Sequence, residues 1–364
     1  MSIKECIFMT HNRHPSSFTL RNAGVFVSDS KSYPLSFTGR GSEYFKIWIV
    51  NILLSIVTVG IYSAWAKVRT QRWFYGHTVL DGQPFTYLAT PMQLLKGRLI
   101  ALAVMVVYAL SSHFMPALAV AIMVALFIAT PWLVVAGLRF NARMSAYRGI
   151  RFDFTGGVKE AAMVYVLLPL LLPFTLGLIL PYMSYRQVRF VIAHTRFGDT
   201  AAQYQGQHKQ FWRVYLIALA MLLVPVALIG VGAWSVVSNP VLGASLVGVA
   251  VVLFYGAMLM IGGYVMARIG NLYFNPSSLG AVGFESRLRA RSLIWIFVSN
   301  VFLMAITLGL FYPWARVRLA RYRAAQLTVQ SAQALDIFTG SRLQAPGATG
   351  SEMADALAVG TGFL

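Results

Sequence analysis

The fold of this chain is decided by residues 58–72, which read Thr-Val-Gly-Ile-Tyr-Ser-Ala-Trp-Ala-Lys-Val-Arg-Thr-Gln-Arg. A close copy occupies 307–321, and a more divergent copy occupies 175–189. Each copy ends an apolar run with Thr-x-Gly, an aromatic residue and two arginines three residues apart. On a helix, the aromatic residue and both arginines share one face, as favoured at a lipid–water boundary. These residues are Trp65, Arg69 and Arg72, then Arg186 and Arg189 in the middle copy, and Trp314, Arg318 and Arg321 in the third.

The composition is that of a membrane protein. Of the 364 residues, 58% are hydrophobic and only 11% are charged, with a mean hydropathy of +0.66. A soluble domain carries about 25% charged residues. Residues 99–138 contain no Lys, Arg, Asp or Glu, which is enough chain for two spans of about 20 residues each. We therefore expect a polytopic membrane protein.

The charge balance points to lipid rather than nucleic acid as a partner. Thirty Lys and Arg face eleven Asp and Glu, a net charge of +19, and the excess lies between the hydrophobic runs. That placement fits the positive-inside bias and attraction to anionic headgroups. The single cysteine, Cys6, excludes an internal disulfide and a cysteine-based metal site. The first 35 residues lack an apolar core, so no cleaved signal peptide is expected.

The sequence predicts an all-α polytopic membrane protein with seven hydrophobic helical segments. Four are full spans, and the other three are the Thr-x-Gly segments, which are re-entrant or spanning. The segments are 43–65, 99–138 as two spans, 161–182, 211–266 as two spans, and 293–314. Small cytoplasmic β-hairpin elements are expected between them, such as Thr78 to Tyr87 with a turn at Asp81-Gly82.

An internal repeat organises the chain. An offset of 117 residues places Phe37 on Phe154 and gives 18 identities over 66 positions without a gap, too many for chance. An offset of 249 places Gly60 on Gly309. The predicted divisions are a polar arm at 1–35, repeat unit 1 at 36–153, repeat unit 2 at 154–283, a half unit at 284–325 and a low-complexity tail at 326–364.

Two topologies fit this repeat. If every Thr-x-Gly segment crosses the membrane, each full unit has three spans and the two units are inverted. Yet both flanks of each Thr-x-Gly segment are basic, whereas the turns near His113 and Asn239 carry no full charge. Placing every basic segment inside requires Thr-x-Gly segments that enter and leave on one side. The charge pattern favours this re-entrant arrangement, with both termini in the cytoplasm.

The arginine pairs are the strongest candidates for a ligand site. Two guanidinium groups at i and i+3 beside an aromatic ring match a phosphate at headgroup depth. The alternative is that they only anchor the helix ends at the interface. The pattern is specific for a membrane boundary and not for one ligand.

Three further sets of polar residues invite a function. Glu43 and Glu160 are repeat equivalents, as are His77 and His194, and they suit either a cation site or ordinary helix-end and backbone contacts. We expect no metal site and no cofactor. Asn51 and Asn300 lie in apolar helices, where an amide needs a partner. No catalytic motif stands in a convincing context, so no enzymatic activity is expected.

The run Phe37-Thr-Gly to Asn51, followed by residues 58–69, resembles the YjgN-like family of bacterial inner-membrane proteins. The stretch 307–318 resembles that family's other signature, and the likeness covers residues 35–325. It implies a multi-pass inner-membrane protein without an established function and with no catalytic residues to carry over. Two classes of function follow: transport or handling of a lipid or small molecule, or a scaffold whose basic face holds anionic lipid or an unidentified protein partner.

Overall fold

A closed barrel of short strands organises the helices. The computed structural model describes residues 31–331, and within that range ten strands pair antiparallel, each with its neighbours in the chain, until the last pairs with the first. The strands are β1 (Lys31–Phe37), β2 (Thr78–Leu80), β3 (Gln83–Tyr87), β4 (Ser145–Tyr147), β5 (Ile150–Phe154), β6 (Thr195–Phe197), β7 (Thr200–Tyr204), β8 (Ser277–Leu279), β9 (Val282–Ser286) and β10 (Leu327–Ser331).

The helices leave the barrel in pairs. Four are long enough and apolar enough to cross a membrane, at 24, 28, 28 and 35 residues. Those four are α3 (Pro91–Phe114), α4 (Pro116–Arg143), α8 (His208–Ser235) and α9 (Pro240–Phe274). The shorter helices are α1 (Gly41–Val57), α2 (Ser63–His77), α5 (Val158–Ala162), α6 (Leu168–Leu170), α7 (Leu180–Ala193), α10 (Ala290–Ile306) and α11 (Tyr312–Ala325). A π-helical turn at Met163–Leu167 joins α5 to α6.

The chain builds the same unit five times along the barrel. In each unit a strand runs out, two helical stretches leave and return, and the next strand runs back beside the first. The residue after each outgoing strand donates its N–H to the carbonyl before the returning strand. These bonds join Thr38 to His77 (3.0 Å), Leu88 to Met144 (2.8 Å), Thr155 to His194 (2.9 Å), Gln205 to Pro276 (2.9 Å) and Arg287 to Gln326 (2.9 Å). Short and long helix pairs alternate.

The three short pairs turn through one backbone conformation. The residue before each glycine has φ of 48 to 50°, and the glycine itself has φ of 82 to 89°. The glycine N–H bonds the carbonyl five residues back, a Schellman closure that satisfies the end of the first helix. Thr58 Oγ1 donates to the Leu54 carbonyl at 2.7 Å and accepts the Tyr62 N–H at 2.9 Å. Thr-x-Gly is therefore a turn that leaves few backbone groups unsatisfied.

The barrel interior is filled with side chains. Its buried members include Leu80, Tyr147 and Val329, and half-buried aromatic residues such as Phe85 and Phe152 pack against them. Tyr147 donates its hydroxyl to the Leu80 carbonyl at 2.8 Å. The barrel is a packed core rather than an open pore.

The barrel places both ends of every helix pair on one side of the membrane. Because neighbouring strands are antiparallel, all five helix pairs leave from the same rim, and the four hairpin turns lie at the other. The basic residues cluster at the barrel and its rim, the placement that the positive-inside bias favours for the cytoplasmic side. Each Thr-x-Gly segment therefore begins and ends at the same rim of the barrel.

The predicted all-α fold class with seven hydrophobic segments is wrong in two respects. The strands form a closed ten-stranded barrel rather than isolated hairpins, and four candidate spans replace the seven segments. The short pairs have helices of at most 17 residues, about 25 Å long, that fold back on themselves. The strands β1 and β10 come from segments assigned to the arm and the tail. The expectations about Cys6 and the chain after 331 lie outside the described residues.

Candidate functional site

Two of the predicted headgroup arginines tie neighbouring units together. Arg72 on α2 donates through Nη2 to the Ala89 carbonyl at 3.0 Å, just before α3. Arg321 on α11 donates to the Gly39 carbonyl at 2.9 Å, just before α1. Arg139 and Asn271 make the same kind of bond from the long pairs, to Phe154 and Leu288. These donors stabilise the ring of units, and each guanidinium keeps further N–H groups that can bind a ligand.

The remaining predicted residues of the first pair have different surroundings. Trp65 is half-buried against the cluster that contains Leu94 and Phe140. Arg69 is exposed, and no hydrogen bond or ion pair holds it within residues 31–331. Trp65 therefore packs against the core, whereas Arg69 is exposed.

In the middle pair the predicted arginines bond to tyrosines of their own helix. Arg186 donates to the Tyr182 hydroxyl at 3.2 Å and also contacts the Met163 sulfur. Arg189 donates to the Tyr185 hydroxyl at 3.3 Å. Neither arginine lines the cleft that is found at α11.

The third pair gathers its predicted residues in one place. Trp314, Arg318 and Arg321 line an open cleft of about 630 Å³ between α10, α11 and the start of α1, here called the α10–α11 cleft. Trp295, Phe311 and Gly41 also line it. Gly41 is required because a Cβ there would overlap the Trp314 indole.

Arg318 connects this cleft to the buried asparagine of α10. Its Nη1 donates to the Ser299 hydroxyl at 2.7 Å and lies 3.5 Å from Asn300 Oδ1. Arg318 and Arg321 are three residues apart and lie on one face of α11. The α10–α11 cleft therefore presents two cations beside aromatic rings.

A second open cleft, of about 670 Å³, lies on the other side of α11. It is bounded by α1, α2, α11 and the first turns of α3, and is here called the α1–α2 cleft. Its cationic residues are Lys67, Arg98 and Arg316, its polar residues include Asn51, Ser55, Thr70 and Gln71, and its aromatic residues are Tyr44, Trp48 and Tyr312. Of these residues, the sequence pattern points to Asn51 alone.

Arg316 is the cation that the Thr-x-Gly pattern did not reveal. Its guanidinium lies 5.0 Å from the Phe74 ring and donates to the Tyr312 hydroxyl at 3.0 Å. Burial raises the pKa of Tyr44, and the charge of Arg316 opposes that rise. Burial and the charge of Arg316 both lower the pKa of Arg323. Arg316 occupies the position of Lys67 in the third copy, so the offset of 249 held a signal for it.

The equivalent acids and histidines meet at the barrel rim. Glu43 Oε2 lies 3.9 Å from His77 Nε2, and Glu160 Oε2 lies 3.4 Å from His194 Nε2. The Nδ1 atoms of both histidines face carbonyls four residues back, those of Trp73 and Phe190. Both acids stand in the first turn of their helices. No three potential metal-ligating side chains meet in the described part of the chain.

Comparison with known proteins now gives the family. The model of the family described as a bacterial protein of unknown function (DUF898) matches residues 32–356. The chain belongs to this family. It is 28% identical over 360 residues to the inner membrane protein YjgN of Salmonella typhimurium, an alignment that covers 85% of this chain and 91% of that protein.

Two further relatives match a smaller share of the chain. The inner membrane proteins YjgN of Escherichia coli O157:H7 and K12 are each 31% identical over 150 residues, covering 41% of this chain and 38% of those proteins. No solved structure matches the chain. The predicted resemblance and location are confirmed: this is a multi-pass inner-membrane protein of the DUF898 family, with four candidate spans.

Proposed function

We propose that the protein binds and handles an anionic membrane lipid at the rim of its barrel. The observation that carries this proposal is the α10–α11 cleft, where Arg318 and Arg321 stand beside Trp295 and Trp314. A guanidinium has five N–H donors in a planar fork that matches phosphate oxygens. Indole rings favour headgroup depth, so a lipid fits this cleft better than a soluble anion does.

The internal repeat is part of this proposal. We treat the first and third short pairs as copies of one module, because both carry an asparagine on the first helix and arginines on the second. The middle pair keeps the turn and lacks the asparagine, so it serves the barrel rather than the ligand. The proposal assigns no chemical step, metal or cofactor to any of the three.

The packed barrel supports handling along the outer surface of the protein. Leu80, Tyr147 and Val329 occupy the barrel interior, so a conduit through it would need the core to open. A lipid that enters from the bilayer needs no such opening, because both clefts are open. Transport, if it accompanies binding, would then follow the grooves between helix pairs.

Lipid analysis of the gently purified protein tests this function. We expect wild-type protein to retain phosphatidylglycerol or cardiolipin above their share of the membrane, and Arg318→Gln/Arg321→Gln protein to lose that enrichment while staying folded. The double variant Lys31→Gln/Arg196→Gln removes the same charge from exposed barrel positions and is the matched control. No enrichment in the wild type, or equal loss in both double variants, would contradict the proposal.

A second candidate is a scaffold that recruits an acidic partner protein. The observation that favours it is the position of the hairpin turns, which project away from the membrane beside Lys31 and Arg196. This candidate predicts the reverse pattern. The Lys31→Gln/Arg196→Gln variant would lose a partner captured by crosslinking in the cell, and the cleft variant would keep it.

A further inference from the structure

Asn51 is a buried amide with half of its hydrogen bonding unmet. It is only 6% exposed. Its Nδ2 donates to the Ala66 carbonyl at 3.4 Å and lies 3.5 Å from Thr70 Oγ1. Because a carbonyl only accepts, Nδ2 must face Ala66, and this leaves Oδ1 as the atom without a partner within residues 31–331. A buried acceptor left unmet is costly, so it points to a missing donor.

The third helix pair shows the same amide with a partner. Asn300 stands at the position of Asn51, and its Oδ1 lies 3.5 Å from Arg318 Nη1. The residue that corresponds to Arg318 in the first pair is Arg69, which is exposed and makes no such contact. The first pair therefore lacks the donor that its copy supplies internally. Asn51 lines the α1–α2 cleft.

The surroundings of Asn51 define the chemistry of an occupant. Arg316, Lys67 and Arg98 provide positive charge, whereas no Asp or Glu lines the α1–α2 cleft. The hydroxyls of Ser55 and Thr70 add polar groups. Ile52 and Ile56 line the same cleft, and Ile56 and the neighbouring Val57 are well exposed towards the lipid. An occupant with a phosphate and an apolar body matches these features.

We infer that the α1–α2 cleft binds the headgroup of a phospholipid that carries an N–H or O–H donor, and that this donor bonds Asn51 Oδ1. The phosphate lies against Arg316, and the acyl chains follow Ile52 and Ile56 into the bilayer. Phosphatidylethanolamine and phosphatidylglycerol have the required donor, and phosphatidylcholine lacks it. The inference rests on the proposed lipid function and names a second site and its specificity.

Two lipids that differ only in the donor provide the sharpest test. Protein in nanodiscs with equal amounts of phosphatidylethanolamine and phosphatidylcholine is released, and its retained lipid is measured by native mass spectrometry. We expect the wild type to favour phosphatidylethanolamine by about threefold to tenfold, the value of one hydrogen bond to a buried acceptor. Asn51→Leu should bring that ratio close to one.

Matched variants separate the site from the fold. Leucine is accommodated at this position of the module, because Leu168 fills it in the middle pair. Asn141→Leu changes a half-buried amide of α4 that lines neither cleft, and it should leave the ratio unchanged. If Asn51→Leu does not fold, Asn51→Asp keeps the acceptor and should keep or raise the preference. Arg316→Gln should lower the preference for phosphatidylglycerol over phosphatidylcholine.

Three outcomes would overturn the inference. One is an unchanged lipid ratio in folded Asn51→Leu protein. Another is an equal loss of the ratio in Asn141→Leu protein. The third is displacement of the bound lipid by inorganic phosphate, which would replace the lipid with a soluble anion. If anionic lipid stays enriched at the α10–α11 cleft in any of these cases, the proposed function stands although the inference about the α1–α2 cleft fails. The two failures are therefore distinguishable.

Discussion

The first and middle short helix pairs share a turn and differ in what packs behind it. Gly60 and Gly177 have nearly the same φ, 88° and 82°, and close the same backbone bonds. In the first pair the helix before the turn, α1, is unbroken, and its Asn51 faces α2. In the middle pair Leu168 replaces that amide, and the first helix is interrupted by a π-helical turn.

Proline explains the interruption. Pro169 has no N–H to donate within its helix, and a π-helical turn immediately before it absorbs the altered hydrogen bonding. The middle pair then closes with apolar residues, including buried Val164 and Phe190. Thr-x-Gly therefore determines the path of the backbone in both pairs. The residues behind it decide between a packed seam and a polar cleft.

Exchanging Leu168 and Asn51, the equivalent residues behind the turn, should give the largest effect on stability. Leu168→Asn places an amide in an apolar, buried position with no partner, so we expect a loss of about 3 kcal/mol of stability. Asn51→Leu removes an unmet acceptor and should change stability by less than about 1 kcal/mol. Thermal unfolding of both variants in detergent measures the difference. Equal losses would show that the two pairs are packed alike.

The turn itself should respond equally in both pairs. At Gly60 a Cβ would meet nothing within 4 Å, and at Gly177 it would make only an ordinary 3.7 Å contact with Leu180. Any cost of Gly→Ala therefore comes from the positive φ, roughly 1–2 kcal/mol at each site. Unfolding of Gly60→Ala and Gly177→Ala proteins should shift alike. A marked difference would mean that the two turns carry different strain.

The local parts of this fold could be predicted from the sequence. The hairpin at Asp81-Gly82 is confirmed, since β2 and β3 flank it. The helices α4 and α9 begin at Pro116 and Pro240, at the turns predicted near His113 and Asn239. Barrel closure could not be predicted, because β1 pairs with β10 about 300 residues away, and the alternation of Leu35 and Phe37 predicts a strand without identifying its partner. Each predicted unit of the 117-residue repeat contains two of the five helix pairs, and the predicted half unit contains the fifth.

The candidate site could be predicted only in part. The arginine pattern led to Arg318 and Arg321, which do share a cleft. It also led to Arg69, which lines neither of the two clefts, and it missed Arg98, whose place in the α1–α2 cleft depends on how α3 packs. A helical pattern gives the face on which a residue lies. It does not give the neighbouring helix that the face meets.

Removing the hydrogen bonds between units should give a smaller difference in stability between the helix pairs. Arg72→Met and Arg321→Met remove the donors to Ala89 and Gly39, and each should cost about 1 kcal/mol. Arg189→Met is the matched control from the middle pair, because its guanidinium bonds a tyrosine of its own helix. We expect about half the effect there. Unfolding in the same detergent tests this order, and a larger effect at Arg189 would contradict it.

The smallest effect is expected at the rim pairs of glutamate and histidine. Both glutamates are half-exposed, so neutralising one should cost at most about 0.5 kcal/mol. Glu43 Oε2 also accepts the Arg40 N–H at 3.4 Å in a capping box, and glutamine keeps an acceptor for that bond. Glu→Gln therefore isolates the charge.

The two distances predict an order between these pairs. The Glu160–His194 contact, at 3.4 Å, is shorter than the 3.9 Å contact of Glu43 with His77, so Glu160→Gln should destabilise the protein more than Glu43→Gln. The difference should shrink in high salt. Equal melting temperatures for both variants in low-salt buffer would refute this order. The acids would then matter only as first-turn residues that favour the helix N-termini, a role that glutamine would weaken equally in α1 and α5.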